Sequence, residues 1–151
     1  MPIGWYGSGA MKILVVEDSR PLRREDVRVL NQAGYQVIAA EDGEVALRLA
    51  ATEQPDAIVL DLMLPKISGV EVLKRLKKDA KTSEIPVIVL SGLSNKNADK
   101  LLSAGAEAYF EKNEVMPDRE HNRLTKVVEE VMCRVNRKRG VGLSSIPIKH
   151  L

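Results

Sequence analysis

Four short stretches carry the side chains in this sequence that could do chemistry together. VVEDS holds the adjacent acids Glu17 and Asp18, VLDLMLP holds Asp61, VIVLSG holds Ser91 and AYFEKN holds Lys112. Gathered in one pocket, three carboxylates repel one another, and a bound cation relieves that cost. An all-oxygen set suits a hard cation, and Mg²⁺ takes one or two carboxylates and keeps several waters. No His or Cys lies near these positions, which disfavours zinc. Lys112 adds a positive charge and Ser91 a hydroxyl donor. A carboxylate nucleophile, a divalent cation, an ammonium and a hydroxyl donor together can accept and stabilise a phosphoryl group. The cation and Lys112 neutralise the oxygens that carry charge during transfer.

The elements that must gather these residues are legible in the apolar pattern. Short apolar runs at 12–16, 36–40, 57–60, 86–90 and 108–111 are too short for buried helices, and several are β-branched, so they read as strands. KILVV, AIVL and VIVL are almost wholly apolar, as expected of parallel strands covered on both faces. Helical patterns lie between them at 19–33, 43–53, 68–79, 97–104 and 119–136. In the first, Leu22, Val27, Val29 and Leu30 form the apolar side, Pro21 fits the first turn and Gly34 stops the helix. Strict alternation predicts an α/β fold, a doubly wound five-stranded parallel sheet, and right-handed crossovers favour the flavodoxin-like order 2-1-3-4-5. Ligands of such sheets bind beyond the carboxyl ends of the strands, which is where Glu17, Asp18, Asp61, Ser91 and Lys112 fall.

The set resembles response-regulator receiver domains, over about Met11 to Arg137. Separated elements agree in order and spacing: the pair Glu17 and Asp18, Asp61 in DLMLP, Ser91 followed by Gly92, the aromatic Tyr109, and Lys112, with Pro65 and Gly69 where the family bends the loop after the acceptor. The resemblance implies that Asp61 is the phospho-acceptor and that Asp18 ligates Mg²⁺ directly. Glu17 helps directly or through water, and the backbone carbonyl of Met63 adds a ligand. It implies that Ser91 donates to the phosphoryl group, that Lys112 pairs with Asp61 or the phosphate, and that Tyr109 reports the switch by its rotamer. A sensor histidine kinase or a His-containing phosphotransfer domain is the implied donor. The chain departs from the family at Asn113, where proline commonly follows the lysine. A non-proline cis bond costs about 3 kcal/mol, so the loop at 113–118 is expected to be rearranged, with Pro117 arriving late. Met63 and Leu93 are apolar where the family positions an attacking water, which implies a long-lived phosphoryl state.

Each residue also has a plainer reading. Glu17 and Asp18 suit capping of the helix that begins near Ser19, and Asp61 suits a turn before Pro65. Ser91, Lys112 and Tyr109 mean little singly. A Mg²⁺-dependent phosphohydrolase could use the same Asp61 but needs a cap over its substrate, and the loops look too short for one. A nucleotide or flavin module needs a Gly-rich loop after the first strand, and VVEDSRP has no glycine. A degenerate receiver, folded but never phosphorylated, is the remaining alternative.

Composition reads as a soluble globular chain. At 151 residues, 44% hydrophobic and 29% charged, the chain is one globular domain in size. The single cysteine, Cys133, excludes an internal disulfide and fits a reducing cytoplasm. No apolar run approaches the roughly 20 residues of a membrane span, and no secretory signal is visible. Beyond Glu130 there are no acids but five bases: Arg134, Arg137, Lys138, Arg139 and Lys149. With those set aside, 18 of the 23 bases face 21 acids, a body at −3 that argues against nucleic-acid binding by this domain. Residues 1–10 read as a flexible leader, 11–137 as the receiver and 138–151 as a loosely ordered basic tail without room for a second domain. Leu124, Val127, Val128, Val131, Met132 and Val135 form a stripe that reads first as core-facing and second as a homodimer face. His121 and His150 have no ligand-spaced partners.

Overall fold

A computed structural model describes residues 11–92, 98–111 and 122–138, with the side chains of residues 122 and 123 left aside. The expectations for residues 1–10, Leu93, Lys112, Asn113, Pro117, His121 and residues 139–151 therefore lie outside the described residues.

The chain alternates strand and helix throughout. The order is β1 (Lys12–Val16), α1 (Arg20–Gln32), β2 (Gln36–Ala40), α2 (Gly43–Glu53), β3 (Ala57–Asp61), α3 (Gly69–Lys78), β4 (Val87–Ser91), α4 (Ala98–Ser103), β5 (Ala108–Glu111) and α5 (Asn122–Lys138). All strand pairs are parallel and the sheet order is β2-β1-β3-β4-β5, the flavodoxin-like order expected from the sequence.

Side-chain alternation along the strands divides the core in two. Ile13, Val15, Val59, Ile88 and Leu90 face α1 and α5, while Leu14, Val16, Ile58, Leu60 and Val89 face α2, α3 and α4. Both faces are covered, which is why β3 and β4 are buried at every residue. Fully burying a Leu or Ile of this kind stabilises by about 1.5–3 kcal/mol. The stripe on α5 is spent on this core, since Leu124, Val127, Val128, Val131, Met132 and Val135 are all buried. Any association through α5 is left to its outer face, where Lys126, Glu130, Arg134, Arg137 and Lys138 are exposed.

The helix starts follow local chemistry. Ser19, Asp42 and Ser68 cap α1, α2 and α3, their side chains accepting from the N–H groups of Leu22, Val45 and Glu71. Glu71 in the first turn of α3 and Arg75, Lys77 and Lys78 in its last turn suit the helix dipole.

Among the differences from the sequence reading, two boundaries and one face bear on the site. β3 and β4 each end one residue later than expected, so Asp61 and Ser91 are the last strand residues and not the first loop residues. The cause is the parallel register, which pairs Asp61 with Leu90 and Ser91 with Glu111. On α1, Leu22 is exposed at 37% and Asp26 is buried at 3%. The first turn of a crossover helix sits at the carboxyl edge of the sheet, so Leu22 lies at the rim of the core and not inside it.

Candidate functional site

β1 and β3 are neighbours, and both end at the same edge of the sheet. Their last residues and the loop after β1 bring Glu17, Asp18 and Asp61 together, with one carboxylate oxygen from each lying within 4.8 Å of the others. Glu17 and Asp61 are both 3% exposed, whereas Asp18 is open to solvent. At such spacing each like-charge pair costs about 1 kcal/mol in bulk water and about 4 kcal/mol at an effective dielectric of 20. Two buried carboxylates beside a third therefore call for a cation, and an all-oxygen set with one arm in solvent fits Mg²⁺, which keeps part of its water shell.

Local hydrogen bonds fix Glu17 and Asp61. The Glu17 N–H donates to the Ala40 carbonyl at 3.0 Å, and the Glu17 carboxylate accepts from the Ser19 N–H at 3.1 Å. The capping reading of the acidic pair is thus met by Ser19, whose hydroxyl accepts from Leu22, with Glu17 bracing Ser19 from behind. Asp61 Oδ1 accepts from the Met63 N–H at 3.0 Å, which turns the chain immediately after the strand.

Ser91 closes β4, one strand over from Asp61, and is fully buried. Tyr109 lies in β5 opposite Val89, half-buried against the core face shared by α2, α3 and α4. Met63 is 60% exposed at the mouth of the site. Lys112 follows directly on β5 and lies outside the described residues.

For three residues the structure supplies a role that the sequence reading did not. Gly69 starts α3 where a Cβ would stand 2.5 Å from Leu62 Cα and 2.6 Å from the Asp61 carbonyl oxygen, so only glycine allows α3 to approach the acceptor strand this closely. Lys66 adopts a left-handed backbone, φ 65°, and its ammonium lies 3.3 Å from Asp42, tying the loop after β3 to the start of α2. The Val45 N–H, and after it Lys66, hold the Asp42 carboxyl below its ordinary pKa. Third, Arg23 Nη1 donates to the carbonyl oxygens of Glu17 at 2.9 Å and Asp18 at 3.3 Å. For Gly69 the signal was its place in the family's loop; for Lys66 and Arg23 there was none, because each acts through a partner set by the fold.

Comparison with known proteins agrees with this architecture. The family model described as "Response regulator receiver domain" matches residues 13–125. The chain is 40% identical over 105 residues to the response regulator MprA of Mycolicibacterium vanbaalenii, covering 68% of this chain and 44% of that protein. It is 40% identical over 105 residues to the phosphate regulon transcriptional regulatory protein PhoB of Escherichia coli, covering 68% and 45%. The chain thus spans less than half the length of these relatives. The structure of the chemotaxis response regulator CheY4 of Vibrio cholerae superposes with a TM-score of 0.72 at 26% identity, covering 81% of this chain and 98% of that one. On the sequence match, the shared sheet order and the acidic edge, this chain belongs to the response regulator receiver domain family of two-component signalling.

Proposed function

We propose that Asp61 accepts a phosphoryl group from a phosphohistidine on a sensor histidine kinase or a His-containing phosphotransfer domain. A carboxylate oxygen of Asp61 forms a bond to phosphorus as the phosphorus–nitrogen bond to the donor imidazole breaks. The imidazole nitrogen keeps the electron pair and takes up a proton. Glu17, Asp18 and Asp61, with the Met63 carbonyl, would hold Mg²⁺, which supplies positive charge to the phosphoryl oxygens. Ser91 donates its hydroxyl to one phosphoryl oxygen and Lys112 pairs with another. The phosphorylated state biases a surface made by α4, β5 and α5, with Tyr109 following by its rotamer, and a downstream protein reads that surface. The chain is a phospho-acceptor and not a turnover enzyme, and slow hydrolysis of the acyl phosphate resets it. The unit that does this spans residues 11–137 and works in the cytoplasm; among the described residues no helix is long and apolar enough to cross a membrane.

The observation that carries this reading is the convergence of Glu17, Asp18 and Asp61 within 4.8 Å at the carboxyl edge of the sheet. Intact-mass spectrometry after incubation with acetyl phosphate and Mg²⁺ tests it. The expected result is one phosphoryl adduct, lost in Asp61→Asn and lost when the metal is chelated. No adduct on the folded wild-type protein refutes the proposal and favours a receiver that signals without phosphorylation.

A further inference from the structure

Among the described residues, Arg23 is the cation whose side chain is hydrogen-bonded to the loop that carries two of the three acids, and it bonds their main-chain carbonyls and not their carboxylates. One guanidinium nitrogen, Nη1, donates to the main-chain carbonyls of both Glu17 and Asp18. The same segment is anchored by the Glu17 N–H on Ala40, the Ser19 N–H on the Glu17 carboxylate, and the Arg23 N–H on the Ser19 carbonyl at 2.8 Å. Arg23 is thus bonded to three consecutive residues, Glu17, Asp18 and Ser19, through its backbone and its half-buried side chain.

The location has a cost that needs a reason. The first turn of α1 has no acid, and Arg20, Arg23 and Arg24 stand at its positive end, where the helix dipole disfavours cations. A positive charge beside a cation site also weakens binding by direct repulsion. Support of the ligands acts in the opposite direction, because loss of an outer residue that orients metal ligands typically costs about 10–100-fold in affinity. Asp18 is the solvent-exposed arm of the trio, and the Arg23 guanidinium donates to its main-chain carbonyl.

We propose that Arg23 is a positioning residue for the cation site: by bracing the Glu17 and Asp18 carbonyls it holds their carboxylates toward Asp61 and so sets the affinity for Mg²⁺. This rests on the phospho-acceptor reading above. Repulsion and bracing predict opposite signs, which makes the role testable by direction alone.

The experiment is isothermal titration of Mg²⁺ into the full chain as wild type, Arg23→Ala, Arg23→Gln and Arg23→Lys, with circular dichroism to confirm the fold. Arg23→Ala should bind Mg²⁺ about tenfold more weakly. Arg23→Lys, which keeps a donor, should recover most of the affinity. The rate of phosphorylation by acetyl phosphate at saturating Mg²⁺ should stay near wild type, with the loss confined to the Mg²⁺ concentration required. If Arg23→Ala does not fold, Arg23→Gln carries the test, since it keeps an amide donor on a shorter, neutral arm and should also bind more weakly. A folded Arg23→Ala or Arg23→Gln protein that binds Mg²⁺ as tightly as wild type, or more tightly, overturns the role of Arg23 alone. A wild-type protein that shows no Mg²⁺ binding overturns the cation site itself and this inference with it.

Discussion

Glycine-to-alanine substitution at three places should give three different outcomes from one chemical change. At Gly69 the added methyl meets backbone on both near contacts, Leu62 Cα at 2.5 Å and the Asp61 carbonyl oxygen at 2.6 Å. Neither atom can rotate away, so α3 must separate from the acceptor strand, and the Gly69 N–H to Leu62 carbonyl bond at 3.1 Å must lengthen. Overpacking of this kind costs about 1–3 kcal/mol, and a backbone clash belongs near the top of that range. Alanine recovers up to about 1 kcal/mol of helix propensity, less in a first turn. The net loss for Gly69→Ala is about 2 kcal/mol, or roughly 4–8 °C in Tm for a chain of this size. At Gly43 the methyl meets the Val72 Cγ2 at 2.6 Å, with the Ile67 Cβ at 3.1 Å and its carbonyl oxygen at 3.2 Å; the one contact under 3.0 Å is a side-chain atom where Gly69 meets two backbone atoms, so the loss should be smaller. At Gly92 nothing lies within 4 Å, and alanine should leave stability within about 0.5 kcal/mol of wild type. Urea unfolding of the three variants, with the slope compared to wild type, reads this order directly. Gly69→Ala as stable as Gly92→Ala would refute the argument that the close approach of α3 to the acceptor strand requires glycine.

Two further outcomes follow from other parts of the molecule. Burial drives the Tyr35 hydroxyl well above the usual tyrosine pKa, with Glu129 and Cys133 adding to the effect, so the folded protein favours neutral Tyr35. A folded pKa raised above the unfolded value near 10 stabilises fully below pH 10 and is lost as pH rises beyond it. Tyr35→Phe should therefore show a shallower loss of stability than wild type above pH 10 by urea unfolding, and parallel curves would refute the assignment. At the site, exposed Met63 offers no hydrogen bond to an attacking water beside Asp61, so the phosphorylated protein should persist for minutes or longer, and Met63→Asn should shorten its life. Decay of the phosphoryl adduct by mass spectrometry checks both, and a wild-type lifetime of seconds contradicts the reasoning.

By itself the sequence determined what depends on neighbours along the chain. Strand and helix types follow from hydrophobic period. The acids fall at strand ends, and in a parallel sheet all strand ends of one sense share an edge; that single rule made the cluster of Glu17, Asp18 and Asp61 legible before any coordinate. The tertiary structure alone decided how each acid meets solvent, because burial of Glu17 and exposure of Asp18 depend on which way the β1 pleat leaves the sheet. It also decided which face of α1 is buried: Asp26 lies inside and Leu22 outside, since the helix's first turn extends beyond the core that periodicity assumes. The roles of Arg23 and Lys66, and the close approach that requires glycine at position 69, were likewise settled only in three dimensions. A basic side chain or a glycine looks the same in sequence whether it braces a loop or merely faces water, and the difference lies in partners that the folded chain brings within 3 or 4 Å.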